Sequence, residues 1–597
     1  VAKAYRLPQD RIDAIAKQIP RLWHPGMWPE VDGAKERLLD AAHDEREKEA
    51  LTAAWALDGH PRHLSMHPGG VVIAPGPLTD QVPLQRSTKG MVITQYDLSS
   101  IERLGLVKID LLGIRALTVV AESAELVQRR QPGFSVETIP DNDPATGELL
   151  ARSATIGCFQ IESSGMRRTL HELGTRTLED VVVTLALYKP GPLQGGLKDA
   201  FVRRHRGQEP VQYLHPTLEP ILQSTYGVIL YQEQVLRIAH ELAGFSLAEA
   251  DRLRRAIAHL GHGEEMVPLR DEFIARMEQV SSVPPDVAAR LWEMMYSFAG
   301  YGFLKAHAAS YAAVAYQTAY LKTHHPAEFM AAILRNWGGY YPQRVYLGEG
   351  RRMGLALRPP HVNYSGRRFA LSYGPDGHAT LWMGLRQVRE LTRKTIAAIL
   401  GARQEQPFES LDDLLQRARP RLAEAENLVK AGALDGLGTG RKALLADLGG
   451  KKPGAPLQLA LPWPTAPEED FTPVETLALE AEMLGWPVSA HPLSPFVREL
   501  AAEGTVRSDA LATHDGRHAV AAGVRLNLWR RRRGWLTLED EAGFFAVRWQ
   551  AGRSLPRGPL GRMGPYLVRG RVQVDRAGDV TILADEIEPI YQPSPTG

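Results

Sequence analysis

At 597 residues the chain is longer than one hydrophobic core supports, so several domains are expected. Its 44% hydrophobic and 23% charged residues are those of a soluble globular protein, with no apolar run long enough to span a membrane. A net charge of +1 excludes a uniformly basic surface, and a single cysteine, Cys158, excludes an internal disulfide framework. With an opening Val1-Ala-Lys-Ala-Tyr-Arg that lacks the apolar segment of a secretory signal, these features place the protein in the cytoplasm.

In chain order, residues 1 to about 60 read as helices: Gln9 to Ile19 has helical spacing, and Ala34 to Leu57 is charged and amphipathic. His67-Pro-Gly-Gly-Val-Val-Ile-Ala-Pro75 then feeds the pair Gly69 and Gly70 into a β-branched strand. Paired glycines let a backbone approach an anion closely, although a plain turn accounts for them equally simply. His60, His63 and His67 lie in a Pro-containing loop without thiols, which argues against zinc.

Gly105-Leu-Val-Lys-Ile-Asp-Leu-Leu-Gly-Ile114 reads as a buried strand between two turn glycines. Lys108 and Asp110 are two apart and share a face of it. Charges in such a setting need compensation, so the pair either closes a sheet edge or belongs to a site with a metal-binding carboxylate and a phosphate-binding lysine. Ala116 to Arg130 reads as a helix, followed by a loop at Asp141-Asn-Asp-Pro144.

Residues 150 to 340 carry the most motifs. Phe159-Gln-Ile-Glu-Ser-Ser-Gly165, with Gln160, introduces a helix near Met166, and Tyr188-Lys-Pro-Gly-Pro-Leu-Gln-Gly-Gly196 is a stiff loop that presents Lys189. Arg203-Arg204-His205-Arg206 is a local basic patch. Tyr226 to Tyr231 reads as a short strand entering the helix Gln232 to Leu242, which Gly244 stops. Ser246-Leu-Ala-Glu249 is a capping box for the next helix, whose apolar stripe is Leu247, Ala250, Leu253 and Ile257. Arg254 borders that stripe and Arg255 lies further round, and guanidinium forks match phosphate oxygens. Phe298 to His307 is rich in glycine and aromatics and precedes a helix from Ser310 to Thr323.

Beyond residue 360, short helices surround Ala431-Gly-Ala-Leu-Asp-Gly-Leu-Gly438. This is a hairpin of the helix-hairpin-helix kind, which holds DNA phosphates on backbone N–H groups near Gly436, Gly438 and Arg441, or else a generic glycine turn. Residues 449 to 475 are a Pro/Gly/Ala-rich linker. Five strands follow, at 519–525, 534–538, 543–549, 565–572 and 579–582. With Arg531 and Trp535 among basic and aromatic neighbours, they suggest an OB barrel for single-stranded nucleic acid, or a barrel that merely docks on the rest.

Several of these blocks, in this order, resemble the C-family bacterial DNA polymerases, the replicative alpha subunits and their error-prone branch. They are His67 to Pro75, Gly105 to Gly113, Phe159 to Met166, Lys189 to Gln194, Thr225 to Gln234, Leu253 to Ala256 and Phe298 to Phe303. The resemblance implies an α+β multidomain chain: thumb at 1–64, the C-terminal half of a polymerase-beta-like palm at 65–115, and fingers at 116–360. It continues with a helix-hairpin-helix region at 361–448, a linker and helical segment at 449–512, and an OB domain at 513–597.

It also implies Mg²⁺ on Asp110 as the third of three catalytic carboxylates, with Lys108 against a primer or nucleotide phosphate. Arg254 and Arg255 would hold the triphosphate, with Lys189, Gln160, Gly69 and Gly70 also toward the nucleotide. Arg203, Arg204, Gly436, Gly438, Arg441, Arg531 and Trp535 would face DNA. The implied partners are primer-template DNA, deoxynucleoside triphosphates, a sliding clamp reached directly or through an accessory protein, and a separate chain carrying the N-terminal palm.

Three departures bear on activity. The family's palm Asp-x-Asp pair is absent, and Asp141-Asn-Asp143 lies in a loop that does not replace it, so this chain alone is expected not to polymerise. It is then either the C-terminal part of a polymerase or a non-catalytic DNA-binding remnant. Ile257-Ala-His-Leu-Gly-His262 stands where family members carry lysines. Gln458-Leu-Ala-Leu-Pro462 lacks the aromatic anchor of a clamp-binding segment, which leans toward the error-prone branch and its DNA-repair role.

Overall fold

The computed structural model describes residues 1–18, 39–40, 42–57, 60, 65–188, 197–259, 266–299, 304–438, 440–450, 469–526, 534–549, 555, 557–575 and 578–591. The chain divides into two units, Val1–Gly113 and Ile114–Gly597.

In the first unit, helices Gln9–Gln18 and Glu45–Ala56 pack through Leu7, Ile15, Ala50 and Leu51. Asp44 caps the second helix on the Glu47 N–H, and the buried Glu47 carboxylate takes Arg11 at 2.6 Å. Strand β1 (Gly70–Ile73) pairs with a later strand, Val107–Asp110, in an antiparallel ribbon. Between them, β2 (Leu84–Arg86) and β3 (Val92–Thr94) form a hairpin, and the later strand is β4. Val82, Ile101 and Leu106 are the core under the ribbon.

The expected buried strand is corrected here. β4 is confined to four residues, and Val107, Ile109, Leu111 and Leu112 are exposed, the last at 73%. An apolar strand is buried on both faces only when layers cover both, and within this unit β4 has one partner strand.

The second unit begins with helix Arg115–Gln128, which packs on Pro326–Asn336 through Val119, Val120, Phe329 and Ile333. Helix Lys305–His324 runs beside Leu178–Leu187, burying Ala308, Ala312, Ala315 and Tyr316 against Val181, Val182 and Leu185. Alanine at 308, 312 and 315 lets the two backbones approach closely.

Three further expectations change in this region. Tyr226–Leu230 is a turn rather than a strand: Tyr226 and Gly227 take positive φ, and the Leu230 and Tyr231 N–H groups go to the Gln234 side chain. The helix Gln232 to Leu242 is α-helical only to Arg237 and finishes as a π turn, Ile238–Leu242. The Ser246–Glu249 box forms, and Ala250, Leu253 and Ile257 are buried as expected, but Leu247 in the first turn is 67% exposed.

A three-stranded sheet of β5 (Ala356–Arg358), β7 (Ala379–Trp382) and β6 (Ala370–Tyr373) leads into the short helices from 393 to 450. Helices Leu422–Lys430 and Arg441–Gly450 make the hairpin around a core of Leu428, Val429, Leu434, Leu444 and Leu448. The linker expected at 449–475 lies largely outside the described residues. The helix Pro473–Leu484 follows it with a capping box between Thr472 and Glu475.

All five expected C-terminal strands are present: β8 (His518–Arg525), β9 (Trp535–Glu539), β10 (Phe544–Arg548), β11 (Tyr566–Val574) and β12 (Val580–Pro589). They close a barrel in the order β10-β12-β11-β8-β9, with β10 and β12 parallel and the other pairs antiparallel. That connectivity is OB-like. Val524 and Leu526 of the barrel share a core with Trp486, Val488, Phe329 and Val345. A buried chain of charges reinforces the contact: Lys322 to Glu349 at 2.6 Å, Glu349 to Arg352 at 2.9 Å, and Arg352 to Glu539 of β9 at 2.7 Å.

Candidate functional site

The ribbon of the first unit brings Lys108 and Asp110 together as their spacing requires. Lys108 Nζ lies 2.5 Å from Asp110 Oδ1, and His67 Nδ1 lies 3.6 Å from the same oxygen. The hydrogen bond from Lys108, followed by the charges of Lys108 and His67, holds the exposed carboxylate below the usual aspartate range. Opposite these residues are Val72 and Gly70 of β1.

The glycine pair has a steric reason. A Cβ on Gly69 would sit 2.6 Å from the Leu111 carbonyl oxygen, and one on Gly70 would sit 2.8 Å from His67 Nδ1 and 3.0 Å from Lys108 Cε. Gly70 therefore leaves the space in which His67 and Lys108 converge on Asp110. His67 lies three residues before Gly70, the β1 residue paired with Asp110, and the turn into β1 brings its ring back to the carboxylate. When neutral, its Nδ1 accepts the Gly69 N–H at 3.3 Å.

Among the described residues no group of three or more His, Cys, Asp or Glu side chains is arranged to hold a metal ion. Mg²⁺ seeks six oxygens in near-octahedral geometry. Asp110 offers one carboxylate, with one oxygen held by an ammonium group, so the residues here do not by themselves fit a Mg²⁺ site.

In the second unit Arg254 and Arg255 lie on helix Leu247–His259 and converge on one carboxylate. Arg254 donates through Nε and Nη2 to Asp251 Oδ1 at 3.1 and 2.9 Å, and through Nη1 to Gln232 Oε1 at 2.9 Å. Arg255 Nη2 lies 2.8 Å from Asp251 Oδ2. Hydrogen bonding from Arg254, then the two positive charges, keeps Asp251 ionised below its usual range. The i,i+3 and i,i+4 spacing of Asp251 to the two arginines is the sequence signal for this pairing, whereas Gln232 has no such mark. Arg203 and Arg204 likewise share Glu209, and Arg204 also donates to the Tyr226 carbonyl at 3.0 Å.

Gln160 is exposed in a turn at φ +63, after Phe159, whose ring stacks on Tyr311. Lys189 lies outside the described residues, as do Arg531, His262 and Gln458–Pro462. Trp535 is half-buried at the start of β9 opposite Arg548.

In the hairpin, Gly436 and Gly438 are exposed, Gly436 at φ +83. Arg441 is placed differently. Its side chain is 7% exposed and forks onto Asp435 at 2.8 and 2.7 Å, and Nη2 reaches Glu480 at 3.1 Å. The N–H groups of Arg441 and Lys442 at the helix start go to the Asp470 carboxylate at 3.1 and 2.9 Å. The guanidinium is thus spent inside the fold. Sequence could not show this, because Glu480 and Asp470 return from well beyond the hairpin.

Three family models match along the chain: "Bacterial DNA polymerase III alpha NTPase domain" over residues 1–113, "Bacterial DNA polymerase III alpha subunit finger domain" over 116–281, and "Helix-hairpin-helix motif" over 354–444. The DNA polymerase III subunit alpha of Thermus aquaticus is 37% identical over 92% of this chain and 47% of that protein. Error-prone DNA polymerases of Symbiobacterium thermophilum and Anaeromyxobacter dehalogenans are each 34% identical, over 97% and 99% of this chain and 58% and 54% of those proteins. The chain spans about half the length of the curated relatives it matches. With three models matching in order and relatives of both kinds along nearly its whole length, the chain belongs to the bacterial DNA polymerase III alpha-subunit family.

Proposed function

We propose that the chain supplies part of a DNA-directed DNA polymerase, which transfers nucleotides to a primer 3′-OH under template direction. The observation that carries this reading is the Lys108–Asp110 pair, displayed on an exposed ribbon inside the stretch that matches the polymerase NTPase model. In it, residues 1–64 act as thumb, 65–115 as the C-terminal half of the palm, 116–360 as fingers, 361–448 as the helix-hairpin-helix region, 449–512 as a linker and helical segment, and 513–597 as the OB domain. Asp110 would give one carboxylate oxygen to Mg²⁺, the remaining ligands coming from a palm Asp-x-Asp segment outside this sequence.

Lys108 then exchanges its bond with Asp110 for a phosphate oxygen. Arg254 and Arg255, already converging on a carboxylate, take the triphosphate in its place, since a carboxylate and a phosphate present similar oxygen pairs to a fork. Gln160, Lys189, Gly69 and Gly70 contribute toward the nucleotide. Arg203, Arg204, Gly436, Gly438, Arg531 and Trp535 contribute toward DNA. The buried placement of Arg441 supports a role in holding the hairpin's shape. The error-prone relatives support a repair and translesion role, with the sliding clamp reached directly or through an accessory protein.

Primer extension tests this reading. The chain should extend a primed template only when a second chain carrying the palm segment is supplied, and D110N should abolish that extension. Extension by this chain alone would overturn the assignment of the missing carboxylates. Salt-dependent DNA binding without extension in either case would favour the DNA-binding remnant.

A further inference from the structure

Helix Pro326–Asn336 ends at Trp337, which takes the left-handed conformation (φ +51) that glycine or asparagine usually fills at this position. Tryptophan here is unusual, and its ring is not buried in compensation: Trp337 is 54% exposed and Tyr340, three residues on, is 72% exposed. The backbone that displays them is nevertheless pinned. The Trp337 carbonyl accepts Arg115 Nη1 at 3.0 Å. A Cβ on Gly338 would sit 2.8 Å from Val119, and one on Gly339 would overlap the Tyr346 hydroxyl. The Tyr340 N–H donates to the buried Glu162 at 2.6 Å, and the Tyr341 N–H donates to Tyr346 Oη at 2.8 Å, which itself donates to Glu162 at 3.0 Å. Two large aromatics are therefore held out to solvent on an immobilised loop.

Four arginines and one carboxylate, Glu122, make the surroundings of this loop predominantly positive. The Arg386 guanidinium lies 5.7 Å from the Trp337 ring centroid. Its backbone is hydrogen-bonded to Arg367, and burial together with the like charges of Arg368 and Arg367 lowers its affinity for a proton. Arg115, Arg367, Arg368 and Arg386 are all exposed, and Glu122 answers Arg368 at 3.1 Å. A ring face flanked by clustered guanidiniums suits a ligand that alternates flat π surfaces with phosphates. An acidic peptide would match the charge but would leave the rigid aromatic display unexplained.

We propose that Trp337 and Arg386 form a stacking subsite for an unpaired base of single-stranded nucleic acid, with Arg367 and Arg368 along its phosphates. The subsite stands on a different set of residues from the proposed nucleotidyl-transfer site, and its test does not require catalysis.

The test is fluorescence anisotropy of the full chain with labelled oligo-dT, a matched duplex, and an oligonucleotide of abasic sites. W337A and R386A should each weaken oligo-dT binding by about 5- to 100-fold, the range expected for loss of one base-aromatic stack. W337F should retain most of the affinity. Duplex and abasic binding should be unaffected by W337A, and its melting temperature should match that of the unchanged chain. Oligo-dT affinity unchanged in W337A would overturn the proposal. So would an equal loss on the abasic strand, which would leave a surface of charge alone. Trp337-dependent capture of poly-glutamate in preference to oligo-dT would reassign the loop to an acidic protein segment, and that too would overturn it.

Discussion

Replacing Arg441 by Ala separates two roles that the hairpin's sequence left confounded. If the guanidinium faced DNA, R441A would weaken DNA binding and leave the fold alone. The structure places it instead between Asp435 and Glu480, and Glu480 is fully buried. Glu480 Oε2 also accepts the Val488 and Ser489 N–H groups at 2.8 and 2.9 Å, so its carboxyl group is built into the turn after helix Pro473–Leu484. Removing one member of a buried pair strands the other's charge, at a cost of about 3–5 kcal/mol. R441K keeps the charge but loses the fork, and should lie between R441A and the unchanged chain. Hydrogen exchange is the appropriate assay, because it reads local opening without requiring two-state unfolding of so large a chain. Amides at 488 and 489 should exchange faster in R441A by about 100-fold or more. Unaltered exchange there, with weakened DNA binding, would refute the structural reading and return Arg441 to the DNA surface.

Other perturbations probe the remaining sites. D251N removes the charge that both Arg254 and Arg255 engage, and should raise affinity for a nucleoside triphosphate in filter binding, whereas R254A should lower it by about tenfold or more; equal affinities in both variants would remove this helix from nucleotide binding. G69A should open the ribbon, since it meets backbone, while G70A meets side chains and should displace the His67 ring and the flexible end of Lys108 from Asp110; NMR titration of the Asp110 carboxylate in G70A should move back toward the ordinary aspartate range. His491 and Glu539 should act on stability with opposite signs. Burial, with Arg351 and Arg352 adding repulsion, lowers His491 to about 3 from 6.5, so the unfolded chain alone takes up this proton and stability falls as pH drops below 6.5. Burial raises Glu539 to about 7 from 4.5 despite Arg352, so the folded chain takes up this proton first and stability rises as pH drops from 7 to 4.5. Relative to the unchanged chain, H491N should thus gain in urea midpoint between pH 8 and pH 5, and E539Q should lose; the same shift in both would refute the assignment.

What the sequence disclosed followed the range of the interactions involved. Capping at Ser246 and Glu249 is local, and so was legible, as were the five barrel strands between their turn glycines. The Lys108–Asp110 pairing follows from a two-residue period alone. The sequence is silent where a partner that periodicity does not name decides. The apolar run at 106–112 resembles a strand buried on both faces, yet periodicity cannot say how many strands lie beside it. Tyr226–Tyr231 has strand-like residues, but the Gln234 side chain captures the N–H groups a ladder would need. Arg441 carries no mark distinguishing a fork for phosphate from one for Asp435 and Glu480.

The charge relay from Lys322 through Glu349 and Arg352 to Glu539 bears on how this protein can be dissected. Its last member belongs to the barrel and the others to the helical body. Gly348 also gives up its side chain so that the Glu539 carboxylate can lie against it. A chain ended before residue 518 would expose the Val524–Leu526 seat and leave Arg352 short of one counter-ion, so loss of function on deleting the barrel would report misfolding as readily as lost DNA contact. The point substitutions W535A and E539Q, rather than truncation, would separate what the barrel binds from what it holds together.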